Sequence, residues 1–159
     1  MRLLTDFYRL FYRLSLPFSF PLDNSLNLYG NKLNGPLPTE IGELRLIHSL
    51  DLSENAFTGT LPTELKKLTS LSTFALHQTS GEINGQIPAF DVFPNLRELN
   101  LESNNFQGSL PDTFLAGISD KSADIVIALG SNQLTGAIPA SLDEFDSLLL
   151  GLQGNQITG

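Results

Sequence analysis

One sequence pattern recurs six times along this chain of 159 residues. The copies are LNLYGNKLNGPLP at 26–38, LDLSENAFTGTLP at 50–62, FALHQTSGEINGQIP at 74–88, LNLESNNFQGSLP at 99–111, IALGSNQLTGAIP at 127–139 and LGLQGNQITG at 150–159. The shared glycine falls at 35, 59, 85, 108, 136 and 159, and five of the nine prolines follow it at one fixed offset. Repetition at a period of roughly 20 to 50 residues predicts a solenoid, whose units bury apolar side chains against their neighbours.

Each recurring residue has a structural task that follows from its chemistry. Alternating leucines such as Leu50 and Leu52 point to the same side of a short strand, so stacked units would share one core. An asparagine in the turn after each strand can satisfy buried backbone groups of its own unit and of the adjacent one. This predicts a structural ladder of Asn31, Asn55, Asn104, Asn132 and Asn155. In the third unit Thr79 stands at this position, before an insertion at 80–83 that predicts a local bulge.

These segments resemble the leucine-rich-repeat family, and within it the plant-type consensus LxxLxLxxNxLxGxIPxxLxxL, over residues 24–159. The resemblance implies an α/β solenoid. This would be a right-handed horseshoe segment of about five and a half repeats over 23–159, with a parallel concave β-sheet and short helical turns in segments such as 39–44. Receptor-like ectodomains share this repeat type. The repeat sequences are also similar to those of repeat proteins from diatoms and related algae. The resemblance therefore implies a recognition module for a protein or peptide.

The two ends of the sequence differ from the repeats. Residues 1–22 carry apolar side chains at helical spacing, which predicts an amphipathic cap on the first unit, with a degenerate secretory signal as the alternative. At the other end the sequence stops at Gly159, halfway through a unit and without a polar cap. Because solenoids normally need such caps, we expect a fragment of a receptor-like protein that continues into further repeats. The alternative is a structural segment that self-associates through uncapped ends.

Composition excludes several kinds of function. The chain contains no cysteine, so disulfides, thiolate nucleophiles and Cys-ligated metals are not expected. Its net charge is −8, and an acidic body repels phosphate backbones, so nucleic-acid binding is not expected. No stretch approaches the roughly 20 apolar residues of a membrane span. No motif for a cofactor or for catalysis is present, so we expect neither a cofactor nor an enzyme. The resemblance implies an extracellular or cell-surface location, although the sequence has no Asn-x-Ser/Thr sequon.

The outward positions of the predicted concave sheet form the candidate ligand-binding surface. The residues expected there are Tyr29, Asp51, Ser53, Glu54, His77, Arg97, Glu98, Asn100 and Glu102. Because adjacent strands lie roughly 4.8 Å apart, the four carboxylates in this set are expected to act as one acidic patch. Such a patch would match a basic or polar peptide. The alternative is that these are ordinary solvated residues.

Other uses of this surface have weaker support. A metal site needs a third firm ligand beside His77 and Glu102. Ser53, His77 and Asp51 stand in parallel on one sheet and so lack the converging geometry of a hydrolase. Ice binding would require regular rows of Thr or Asn. The central column of the concave sheet has no such regularity, because it runs Asn27, Asp51, Ala75, Asn100, Ala128 and Gly151.

Overall fold

The structure is a computed structural model that describes residues 24–81 and 83–158. Its strands alternate along the chain between two parallel six-stranded sheets. The first sheet contains, in order, β1 (Ser25–Asn27), β3 (Ser49–Asp51), β5 (Thr73–Ala75), β7 (Glu98–Asn100), β9 (Ile125–Ala128) and β11 (Leu148–Gly151). The second sheet contains β2 (Asn34–Pro36), β4 (Ala56–Thr60), β6 (Ile83–Gly85), β8 (Asn105–Ser109), β10 (Gln133–Gly136) and β12 (Gln156–Ile157).

The first sheet is the predicted concave sheet, so the prediction of a repeat solenoid with one parallel strand per unit is confirmed. The second sheet goes beyond the prediction, which named only the concave sheet and the short helical turns. The cap or signal predicted for residues 1–22 lies outside the described residues.

Three units return to the first sheet through short 3-10 helices, at Thr39–Glu43, Thr63–Lys67 and Ala140–Glu144. Each follows the recurring proline, whose extended backbone ends the second-sheet segment. The first of these helices is the helical turn predicted at 39–44. No helix in the described part of the chain is long and apolar enough to cross a membrane.

The core lies between the two sheets. Each central strand contributes at least one fully buried apolar side chain; these include Leu50, Phe74, Leu99 and Ile127 from the first sheet and Phe57, Ile83, Phe106 and Leu134 from the second. In the third unit an irregular segment replaces the 3-10 helix, and its buried Phe90 contacts other rings. The Phe90 ring lies 5.3 Å from that of Phe93 and 6.4 Å from that of Phe114, centroid to centroid. Large aromatic side chains therefore fill the space where the helix is missing.

The two sheets pair their strands in different registers. In the first sheet equivalent residues of successive units face each other, as Leu50 faces Phe74. In the second sheet the pairing slips by two residues at every step, so that Gly59 pairs with Ile83 and Gly108 with Leu134. These glycines have φ values of +77° and +82°, a conformation that other residues adopt at a cost.

Buried asparagines tie each unit to the one before it. The Asn132 amide donates to the carbonyl oxygens of Leu101 (3.0 Å) and Leu129 (3.1 Å), and its oxygen accepts from the Phe106 N–H (3.0 Å). Asn55 makes the same kind of bridge, with an amide that donates to Leu28 and Leu52. Each side chain thus satisfies backbone groups of two consecutive turns, which would otherwise be buried without partners.

The third unit replaces the asparagine with Thr79, which is also buried. Its hydroxyl donates to the side-chain oxygen of Asn104 in the next unit. The insertion that follows folds back on the preceding unit, because the Ser80 N–H donates to the Asn55 carbonyl oxygen at 3.0 Å. A Cβ atom on Gly81 would lie 2.2 Å from the Ala56 carbonyl oxygen, so only glycine fits this close approach.

We expect Asn104→Leu to lower the free energy of unfolding by about 1–3 kcal/mol, because it leaves buried backbone carbonyls without a donor. The exposed amide of Gln107 in β8 provides the matched control, and Gln107→Leu should change stability much less. Chemical denaturation followed by circular dichroism measures both values. Equal stability of the two variants would contradict a structural role for the Asn104 side chain.

Candidate functional site

The outward side chains of the first sheet stand in three columns, with one residue from each unit. The first column is Ser25, Ser49, Thr73, Glu98, Val126 and Leu149. The second is Asn27, Asp51, Ala75, Asn100, Ala128 and Gly151. The third, just beyond the strands, is Tyr29, Ser53, His77, Glu102, Gly130 and Gln153. Seven of the nine sequence-predicted residues occupy these columns, although the side chain of Ser53 is buried, and the other two, Glu54 and Arg97, flank them in the chain.

The polar side chains of the second column, Asn27, Asp51 and Asn100, hold the turns at the ends of their own strands. The Asp51 carboxylate accepts from the Ser53 N–H at 3.0 Å, and the Asn100 side-chain oxygen accepts from the Glu102 N–H at 3.1 Å. These local bonds fix the direction in which the third column leaves the sheet. A carboxylate has more acceptor positions than this single bond occupies, so Asp51 can also accept from a ligand.

Tyr29, Glu54 and His77 form a cluster beside Asp51. The hydrogen bond between Tyr29 and Glu54 is the main cause that raises the pKa of Tyr29 above its ordinary value of 10.0, and desolvation and the charges of Glu54 and Asp51 add to it. The Tyr29 and His77 rings lie 6.3 Å apart, centroid to centroid, at a tilt of 51°. Glu54 has a φ of +51°, and the equivalent Gln78, Ser103 and Ser131 have φ values of +52°, +57° and +54°, so this conformation is a feature of the repeat turn.

The structure corrects the expectation that Ser53 faces a ligand. Ser53 is fully buried, and its hydroxyl oxygen accepts from the His77 N–H at 3.1 Å. The small Ser53 side chain fits against the neighbouring unit, where it provides an acceptor for the His77 N–H. The side chain of Ser53 is therefore not part of the candidate surface, and His77 is held against the sheet through its backbone N–H.

Glu102 and Glu98 carry the negative charge into the middle of the sheet. Glu98 is exposed at the start of β7, whereas Glu102 is half-buried and accepts from the Gln153 amide at 2.8 Å. This bond spans two units and passes over Gly130, where a Cβ atom would lie 2.4 Å from the Gln153 amide nitrogen. The absence of a side chain at Gly130 therefore permits a polar bridge that no spacing rule in the sequence indicates.

Arg97 lies just before β7, and its side chain pairs with a residue outside the sheet. Its guanidinium donates to the Leu96 carbonyl oxygen at 3.0 Å and lies 3.6 Å from the Asp120 carboxylate. The pKa of Asp120 is lowered, chiefly because Ser122 donates hydrogen bonds to it and also because Arg97 lies nearby. The Arg97 charge is thus shared with Asp120, which lies outside the predicted acidic patch.

Two apolar residues lie at the other end of the surface. Val126 and Leu149 pair directly across β9 and β11 and have relative exposures of 40% and 68%. The sequence-predicted site residues did not include them. Their position in the repeat could have indicated them, because Val126 pairs in register with Glu98 and continues the same column.

The second sheet presents a surface of a different kind. Its exposed side chains are Asn34, Pro36, Thr58, Thr60, Asn84, Gln86, Gln107, Ser109, Gln133, Thr135, Ala137, Gln156 and Thr158. In the described part of the chain, Lys32 is the charged residue that borders this set at the first strand, while Glu82 lies outside the described residues. This face is therefore rich in uncharged amide and hydroxyl groups.

Comparisons with known families and structures agree with the repeat pattern of the sequence. The Leucine Rich Repeat family profile matches residues 24–44, 46–68 and 95–116. A search of curated proteins found no match. The chain is similar to the crystal structure of a plant ice-binding protein, with a TM-score of 0.76 and 32% identity, over 84% of this chain and 42% of that one.

Plant receptor kinases are also similar. The leucine-rich-repeat ectodomain of GASSHO1/SCHENGEN3 from Arabidopsis thaliana, in complex with CASPARIAN STRIP INTEGRITY FACTOR 2, has a TM-score of 0.72 and 34% identity over 84% of this chain. The Arabidopsis receptor kinase HAESA, in complex with the peptide hormone IDA and the co-receptor SERK1, has a TM-score of 0.70 and 29% identity over 83%. This chain spans 16% and 22% of the lengths of these two chains.

We expect Glu54→Gln to bring the pKa of Tyr29 down toward its ordinary value of 10.0, because the variant removes the carboxylate that disfavours the phenolate. The ultraviolet absorbance of tyrosinate against pH measures this change, and the difference from Tyr29→Phe isolates Tyr29 among the three tyrosines. Glu40→Gln, on a 3-10 helix, is the control. A Tyr29 titration that is the same in both glutamine variants would contradict the pairing with Glu54.

Proposed function

Because this chain is a member of the leucine-rich-repeat family with repeats of the plant type, we propose that it is a recognition module that binds a basic or polar peptide on its first sheet. The observation that carries the proposal is the acidic patch, which we define as Asp51, Glu54, Glu98 and Glu102. These four carboxylates lie on the second and fourth units of one face, on either side of β5, where their fields add.

The balance of charge on this face supports a cationic ligand. Arg97 directly precedes Glu98 in the chain, and its guanidinium is paired with Asp120, outside the acidic patch. His77 and Tyr29 add aromatic surface beside Asp51 and Glu54, where rings and carboxylates together suit Lys and Arg side chains. A ligand with acidic side chains would meet like charges here.

Two of the similar structures support a peptide or protein as the class of ligand. HAESA is in complex with a peptide hormone and a co-receptor, and GASSHO1/SCHENGEN3 is in complex with an integrity factor. Both share the repeat type and the fold of this chain at TM-scores of 0.70 and 0.72. The resemblance also suggests a receptor-like protein as the context in which the module works.

Selection from a displayed library of random heptapeptides tests the proposal. On the wild-type chain we expect enrichment of peptides that contain Lys or Arg. On the triple variant Asp51→Lys, Glu98→Lys, Glu102→Lys this enrichment should disappear, because the variant reverses the charge of the patch. Binding of an enriched peptide should also weaken as salt is added, since exposed charges are screened.

A second triple variant provides the matched control. Glu40→Lys, Asp112→Lys and Asp143→Lys make the same change in net charge at exposed positions away from the first sheet. We expect this variant to select basic peptides as the wild type does. If both triple variants behave alike, net charge alone attracts the peptides and the proposed site is wrong.

A second candidate function, ice binding, is favoured by the uncharged face of the second sheet. Its Thr, Asn, Gln and Ser side chains repeat from unit to unit, and the chain is 32% identical to a plant ice-binding protein. Neutral hydroxyl and amide groups exchange hydrogen bonds with ordered water more easily than charged groups, which hold their own hydration shells strongly.

Growth of ice crystals in the presence of the wild-type chain tests this candidate. We expect slower recrystallisation than with serum albumin at equal mass concentration. The effect should be lost in Thr58→Lys, Gln107→Lys, Thr135→Lys and retained in the Asp51, Glu98, Glu102 triple variant. Ice that grows with wild-type protein as it does with albumin would rule out this function.

A further inference from the structure

The first sheet changes from acidic to apolar between two adjacent strands. In the first column Glu98 pairs in register with Val126, and Val126 pairs with Leu149. In the second column Ala128 pairs with Gly151, so no large side chain covers the apolar pair from that side. The apolar step, which we define as Val126 and Leu149 with this small-residue floor, therefore directly adjoins the acidic patch.

Val126 and Leu149 are among the few large apolar residues that the described part of the chain leaves exposed. Leu149 is 68% exposed although it lies within a strand whose neighbours Leu148 and Leu150 pack partly against the core. Single exposed apolar residues are common on protein surfaces, but two that adjoin on the face of a proposed site have contact with a ligand as their simplest explanation.

The spacing of the two features suits one extended peptide that crosses the strands. The acidic patch is centred on β5, between β3 and β7, and the apolar step lies on β9 and β11. At roughly 4.8 Å per strand the two centres are about 12 Å apart, which an extended chain spans in about four residues at 3.3 Å each.

We infer that the ligand of this surface is a peptide with a basic residue for the acidic patch and, about four positions away, an aliphatic or aromatic residue for Val126 and Leu149. This inference rests on the proposed function and adds the apolar half of the ligand. Charge complementarity fixes one end of the peptide and burial of apolar surface fixes the other, so the peptide lies on the sheet in a single direction.

The same heptapeptide library tests the inference with two further variants. Val126→Thr, Leu149→Thr removes the apolar step while keeping residues suited to strands. Leu46→Thr, Ile138→Thr is the matched control, because these residues are 73% and 49% exposed but lie outside the first sheet. On the wild type and the control we expect peptides with a basic and an apolar residue three to five positions apart.

On Val126→Thr, Leu149→Thr we expect selection of basic residues without the apolar partner. A wild-type-selected peptide should bind this variant about tenfold more weakly, a factor of the order that burial of one such side chain provides. If the wild type selects basic residues alone, or if both double variants lose affinity equally, the inference is wrong while the proposed function stands. If selection on the wild type does not depend on the acidic patch, both are wrong.

Discussion

The double attachment of one buried carboxamide per unit is the interaction on which the rest of the structure depends. Asn132 and Asn55 each donate to the carbonyls of two consecutive turns and accept from a backbone N–H of the preceding unit, which opposes sliding of neighbouring units past each other. Only under this constraint do equivalent strand residues pair in the first sheet and their outward neighbours form columns. Where Thr79 replaces the asparagine, its hydroxyl donates to Asn104 of the next unit, and the Ser80 N–H donates to the Asn55 carbonyl oxygen of the preceding one.

The properties of the candidate surface follow from those columns. Residues of the second column hold the strand-end turns with their side chains, as Asp51 and Asn100 do, and so set the exit of the third column. Chemistry can then change from unit to unit without any change in the backbone, which is how an acidic region and an apolar region come to adjoin at Glu98 and Val126. Repeat folds separate scaffold from recognition in this manner, since each unit contributes its own outward residues to one continuous face.

The sequence predicted the solenoid well because its signals are local and repeated: the leucine pairs, the ladder position and the glycine. The second sheet was missed because its strands contain Gly and Pro, as in Asn34–Pro36, and such residues normally argue against a strand. Within the candidate site, the sequence placed the outward residues in columns but could not show the burial of Ser53 or the ion pair of Arg97 with Asp120. Both depend on contacts between units whose side-chain geometry the repeat pattern does not encode.

The two-residue slip in the second sheet has a consequence for the shape of any longer array built from these units. A step of two residues along a strand for each step across the sheet displaces equivalent residues by about 8 Å on a diagonal, against roughly 4.8 Å straight across in the first sheet. The second-sheet side of each unit is therefore displaced relative to the unit before it, while the first-sheet side is not. A stack of such units must twist progressively. The number of units would then determine the direction in which each end of the first sheet faces.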